Sequence, residues 1–382
     1  MTASPPAPVT PPLSLYIHVP WCVRKCPYCD FNSHAIQHDI PEAAYLNALF
    51  EDIDQDLPLA EGRTIETVFI GGGTPSLMSG GFYRDLFKGL RERLAFAADA
   101  EITLEANPGT LEEGRFEAFR AAGINRLSIG VQSFNPAHLK ALGRIHDSRA
   151  AHRAIETARK AGFDNFNLDL MHGLPGQNPE EALEDLKAAI SHEPPHISWY
   201  QLTLEPNTEF YSRPPDLPDD DRLWEIAQCG SEYLHRQGFS DYEVSAWCQE
   251  GKASRHNLNY WMFGDYLALG AGGHGKISLP DGTIKRYWKT RQPEAYLNRI
   301  GSRTAGSNII ETDDLPLEFL MNALRLRKGV DESLFSERTG LPLTSVAVQL
   351  EALRDDKLLV RDRLQATDLG QRYLNSLLER FL

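Results

Sequence analysis

Short apolar or β-branched runs alternate with amphipathic stretches along the first two hundred residues. Leu15–Pro20, Thr67–Gly72, Glu101–Asn107, Arg126–Ser133, Asn165–Gly173 and His196–Glu205 have the composition of buried strands. Between them, Pro41–Asp56, Leu111–Ala122, Ser148–Lys160 and Pro179–His192 space apolar residues at helical intervals. Strands apolar on both faces and joined by helices build a parallel sheet, so the pattern predicts six βα units in an α/β fold. Eight units would close a full barrel; six predict a partial (β/α)6 barrel, and the pattern fits an open doubly wound sheet as well. Ala122-Gly123-Ile124 and Ala161-Gly162-Phe163 mark two helix ends, each glycine suited to the left-handed residue after the last turn.

The rhythm changes twice further on. Residues 239–310 hold short strand-like pieces, turns such as Pro280-Asp281-Gly282-Thr283, and many Trp and Tyr, which predicts a small α+β region. From 311 to 382 the pattern is compact and helical: Leu315–Leu326, Asp331–Thr339, Leu343–Asp356 and Asp368–Phe381, with a short hairpin at Leu358–Val360 and Leu364–Ala366. That order predicts a C-terminal winged-helix-like domain. The expected organisation is therefore a disordered lead-in (1–12), the partial barrel (13–238), the α+β extension (239–310) and the C-terminal domain (311–382).

Charge narrows the partners. The formal net charge is −14, and the C-terminal helices carry no concentrated basic face, so broad binding to nucleic-acid phosphates is not expected. Met1–Pro12 is rich in Pro, Ser and Thr without Lys or Arg, unlike a signal or transit peptide, and no apolar run is long enough to span a bilayer. A cytoplasmic protein is expected.

The chemistry concentrates in one segment. Cys22, Cys26 and Cys29 fall at i, i+4 and i+7 on a loop just after the first strand, while Cys229 and Cys248 stand apart as small hydrophobes. Thiolates are the ligands iron–sulfur sites need, and four irons with three protein ligands leave one iron open. Arg24 and Lys25 are placed to favour the thiolate form. The alternative is structural zinc completed by His18 or His34, but zinc sites use paired cysteines and close all four positions.

At this point the chain resembles the radical SAM superfamily, whose hallmark is Cys-x3-Cys-x-aromatic-Cys. Gly71-Gly72-Gly73-Thr74-Pro75 at the end of the second strand matches its glycine motif. Within that superfamily the chain is similar to the oxygen-independent coproporphyrinogen III oxidases and their heme-chaperone paralogues. The matching stretches are Leu15–Pro20, Glu105–Pro108, Gly130–Phe134, Leu142–Arg144 and Asn167–Gly176. The resemblance implies a [4Fe–4S] cluster on Cys22, Cys26 and Cys29, and contacts to S-adenosyl-L-methionine (SAM) from Tyr16, Gly72, Gly73, Thr74, Glu105, Gln132, Arg144 and Asp169. The residue types suit that ligand. Carboxylates accept from hydroxyls or face positive charge, and Arg144 can pair with a carboxylate.

Two features favour the chaperone branch. Phe31 stands where the oxidases carry a further cysteine. Arg255-His256-Asn257-Leu258-Asn259-Tyr260-Trp261 matches the chaperones' His-Asn-x-x-Tyr-Trp motif, which implies heme as a ligand and a heme contact from His256. Tyr260 and Trp261 offer flat surface for a porphyrin face, and Asn257 is placed to orient the imidazole. His274, within Gly272-Gly273-His274-Gly275, is a second candidate for a heme or SAM contact. The branch implies heme-acceptor proteins such as respiratory cytochromes as partners and leaves a homodimer and peripheral membrane contact through acceptors open; the alternative function is that of the oxidases, radical decarboxylation in porphyrin biosynthesis.

Overall fold

The computed structural model describes residues 10–109 and 114–382. Most of the expected lead-in, residues 1–9, and residues 110–113 lie outside the described residues. The helix expected over Leu111–Ala122 is described as Phe116–Ala121.

Strand β1 is Leu13–Val19, and the short β2 (Trp21–Cys22) and β3 (His34–Ala35) pair with each other beside it. Then come β4 (Ile65–Gly72), β5 (Phe96–Ala106), β6 (Arg126–Gln132), β7 (Phe166–His172) and β8 (His196–Gln201). These pair in parallel in the order β1-β4-β5-β6-β7-β8, which is also their order in the chain. A doubly wound sheet reverses direction at a switch point, and this one never does. Crossovers of one hand stepping one way keep the helices on a single outer face, so the arrangement is the partial-barrel alternative.

Local chemistry explains the helices. Ser148–Lys160 buries Ala150, Ala151, Ala154, Ile155 and Ala158, and Asp147 caps its start by accepting from the Ala150 amide. Pro179–Ile190 opens with a reciprocal capping box between Asn178 and Glu181. Gly162 closes the first of these at φ +85°, as its position after the last turn requires.

The C-terminal half joins the same sheet on both edges. β9 (Ser240–Glu243) and β10 (Ala246–Cys248) continue antiparallel beyond β8. On the other edge β11 (Asp265–Leu269) runs parallel to β1, Leu13 opposite Asp265 and Ile17 opposite Leu269. β12 (His274–Ser278), β13 (Ile284–Lys289) and β14 (Thr304–Ile309) follow antiparallel, completing twelve strands. Buried Asp265 pins the β11 edge, taking Arg63 at 2.7 Å and Lys276 at 3.1 Å.

Residues 315–381 gather a second apolar core around Phe319, Phe335 and Leu350, which also takes in Phe263 and Ile284. Its helices are Leu315–Ala323, Glu332–Thr339 and Ala347–Asp355, with an antiparallel bridge between Leu359 and Ala366. The expected last helix breaks at Tyr373 into Asp368–Arg372 and Leu374–Leu378. No helix among the described residues is long and apolar enough to cross a membrane.

Candidate functional site

The cysteine loop leaves β1 at its C-terminal end, where parallel sheets place their sites. The Cys29 amide donates to the Cys26 carbonyl at 3.1 Å, and Lys25 Nζ reaches back to the Phe31 carbonyl at 3.1 Å. The glycine motif after β4 packs directly beneath. The Gly73 and Thr74 amides donate to the Val19 and Trp21 carbonyls at 2.7 and 2.6 Å. A Cβ on Gly73 would lie 2.4 Å from the Trp21 carbonyl oxygen, so only glycine permits this approach.

Cys22, Cys26 and Cys29 are all free thiols lining one cavity of about 350 Å³. Burial pushes the Cys22 and Cys29 thiols up, with Lys25 opposing it only weakly, so the expected activation by neighbouring cations is minor. Metal binding must therefore displace protons. Of the two histidines proposed to complete a zinc site, His18 has Nδ1 against the Tyr16 hydroxyl at 3.0 Å and Nε2 against the Asn32 carbonyl at 2.8 Å, and His34 does not line this cavity. Three thiols facing a polar ligand cavity fit a cluster with one open iron.

The other wall of the cavity carries the residues expected to hold SAM. Gly72, Gly73, Thr74, Glu105, Gln132, Arg144 and Asp169 all line it. Glu105 accepts from the Gly72 amide at 3.1 Å; burial and the Asp169 carboxylate push it up to about 8. Burial also raises Asp169, which Ser128 and Asn167 each hold at 2.8 Å. Two buried carboxyls of raised affinity for protons form a site that a cationic, hydroxyl-bearing ligand stabilises. Gln132 has φ +66°, a conformation costly for a side chain with a Cβ, and its Oε1 accepts from Tyr200 at 2.8 Å. Arg144 spans from Cys26 Sγ at 3.6 Å to Asn107 Oδ1 at 2.6 Å and the Gly130 carbonyl at 2.8 Å. It thus also faces the cysteine end, beyond the carboxylate partnership expected of it.

Tyr16 lies elsewhere. It lines a second cavity of about 560 Å³, walled by Phe31, Tyr260, Trp261, Phe263 and Tyr266 and by the polar groups of His274, Lys276, Arg286 and Arg291. The two cavities share Phe31, Gly72, Glu105 and Trp261. The C-terminal core reaches this wall: Glu318 takes Arg286 at 2.6 Å, and Arg325 lies over the Trp261 ring at 4.4 Å.

His256 lines neither cavity. It is fully buried, with Nδ1 2.7 Å from Thr67 Oγ1, Nε2 2.8 Å from the Tyr260 hydroxyl, and its amide donating to Glu101. An axial ligand needs a free ring nitrogen, and both are taken, so the direct heme contact expected of His256 does not match this geometry. Burial and Arg126 lower its imidazole to about 3. Asn257 does not hold the imidazole either; it lines the cluster cavity.

Comparisons with known proteins give the family. A model of the radical SAM superfamily matches residues 16–189, and one of the HemN C-terminal domain matches 310–373. Heme chaperone HemW of Escherichia coli is 52% identical, over 97% of this chain and 98% of its own. The chain belongs to the HemW family of the radical SAM superfamily. HemW of Haemophilus influenzae is 49% identical over 98% of this chain and 99% of its own. Among solved structures, coproporphyrinogen III oxidase (HemN) from E. coli superposes with a TM-score of 0.82 at 26% identity, covering 97% of this chain and 90% of that one. In this chain Phe31, at the position expected to distinguish it from the oxidases, is 59% exposed on the wall shared by both cavities. Tyr200 and Asn107, to which the sequence motifs give no role, also line the cysteine-bearing cavity. Strand alternation along Ser198-Trp199-Tyr200 was the available signal for Tyr200, since Ser198 lines the same cavity.

Proposed function

We propose that the chain is a cytoplasmic heme chaperone that holds a [4Fe–4S] cluster with SAM and passes heme to acceptors such as respiratory cytochromes. The observation that carries this reading is the shared wall: a three-thiol, polar cavity opens side by side with an aromatic, cation-rimmed cavity through Phe31, Gly72, Glu105 and Trp261. The full-length likeness to heme chaperones supports heme as the second ligand. Cys22, Cys26 and Cys29 would hold the cluster, which supplies an open, redox-active iron to SAM. Glu105, Asp169, Gln132 and the Gly72–Thr74 backbone would bind and orient SAM. A ligand in one cavity then touches the wall of the other, which lets the cluster side sense whether heme is bound.

The superposition on coproporphyrinogen III oxidase supports a second reading, radical decarboxylation of a porphyrinogen. Anaerobic reconstitution followed by parallel assays separates the two. The chaperone reading expects saturable heme binding and no decarboxylation of coproporphyrinogen III. Decarboxylation stoichiometric with SAM cleavage would establish the oxidase instead.

A further inference from the structure

The aromatic cavity contains two groups that the fold leaves unused. β12 and β13 project alternate residues onto one face of the sheet extension, with His274 opposite Trp288 and Lys276 opposite Arg286. Lys276 is satisfied by Asp265 and the Phe263 and Gly264 carbonyls, and Arg286 by Glu318 and the Tyr266 hydroxyl. His274 and Arg291 differ. Both are exposed on the cavity wall, and among the described residues neither side chain has a hydrogen-bond or ion-pair partner. The indole N–H of Trp261, a residue that lines both cavities, is buried and equally unpartnered. Buried donors without acceptors are rare in folded proteins, and this one belongs to a cavity-lining residue.

We propose that this cavity is the heme site, with His274 presenting a ring nitrogen to the iron and Arg291 receiving a propionate. The inference rests on the heme reading above and adds its residues. The volume of about 560 Å³ lies within the range of small-molecule sites. Tyr260 and Trp261 supply the flat apolar walls a porphyrin needs. The His274 ring runs nearly parallel to Trp288, 27° between planes, which limits its orientations. Burial and the Arg291 and Arg286 guanidinium groups push its imidazole below the ordinary value, which keeps the lone pair available at neutral pH. The same two charges face the carboxylates of an entering heme. This also explains how the His-Asn-x-x-Tyr-Trp motif bears on heme: its Tyr and Trp line the site, and its His holds the Tyr.

The test titrates ferric heme and metal-free protoporphyrin IX into the full chain with its cluster reconstituted, read by difference absorption and by EPR of the ferric heme. His274→Ala is expected to weaken heme by about tenfold or more and to remove the histidine-ligand signature, while protoporphyrin affinity stays within about twofold. Arg291→Gln is expected to weaken both tetrapyrroles by several-fold and to reduce the salt dependence of binding. His274 is exposed, so its loss leaves the fold intact, and an unchanged melting temperature checks this. Should His274→Ala bind heme with the wild-type affinity and spectrum, the assignment of the ligand is overturned. Absence of heme binding by the unmodified chain would instead overturn the chaperone reading itself.

Discussion

The Tyr260 hydroxyl lies 2.8 Å from His256 Nε2, so the buried histidine reaches the aromatic cavity only through the ring that walls it. His256→Ala removes this bond and the one to Thr67; the Tyr260 hydroxyl loses its partner, while Thr67 keeps Ser14 at 2.8 Å. The expected cost is about 2–4 kcal/mol of stability, read as a lower urea midpoint. Heme affinity is expected to fall several-fold while the spectrum of the bound heme keeps its ligand signature. His256→Gln, which retains a side-chain amide toward Tyr260, should restore part of the affinity. A changed axial-ligand spectrum in His256→Ala would show that the histidine reaches iron after all.

SAM affinity should rise with pH. Glu105, raised to about 8 by burial and Asp169, is largely protonated at neutral pH in the free protein. A sulfonium and an ammonium group favour its ionised form, so binding SAM releases a proton and strengthens as pH climbs from 7 toward 9. Calorimetry in two buffers of different ionisation enthalpy measures that release. Glu105→Gln should abolish the proton release and weaken binding; release that persists in this variant would assign it to another group.

Cys26→Ala should prevent cluster assembly while the sheet folds normally. The expected signs are loss of four iron and four sulfide per chain, and loss of the SAM-induced change in the cluster's EPR signal. Arg144 then loses its 3.6 Å contact to sulfur but keeps Asn107 and Gly130, which preserves the wall.

Gly73→Ala should separate the two halves of the cluster cavity. The new methyl would start 2.4 Å from the Trp21 carbonyl, and the backbone there, rather than a mobile side chain, has to yield. We expect SAM affinity to drop by about tenfold or more, with stability reduced by about 1–3 kcal/mol from the strain. Binding unchanged by calorimetry would mean the loop absorbs the displacement without cost.

Much of this was legible in the residues because it depends on local pattern. Strand Arg126–Gln132 shows its Leu127, Ile129 and Val131 at every second position, and the three cysteines stand out by their spacing. Apart from Tyr16, the residues expected around the cysteines line one cavity, since they sit at strand ends. The sequence was less informative where a partner comes from far along the chain. Asp265–Leu269 looks like any short strand, and nothing local says it pairs with β1. His256 stands in a motif beside two cavity residues, and only the fold shows that Thr67, 189 positions away, fills its other nitrogen. His274 is a candidate in the sequence, but only the fold shows that it shares a cavity wall with Arg291.

β1 sits in the middle of the finished sheet, yet one of its two neighbours is made about 250 residues later, as Leu13 pairs with Asp265. On a ribosome moving at about 5–20 residues per second, that edge stays open for roughly 10–50 s. An unpaired, apolar edge is a template for joining another chain. The nascent protein thus passes through a sticky interval that ends when β11 docks, and loading of metal at the adjoining cysteines is best timed after it.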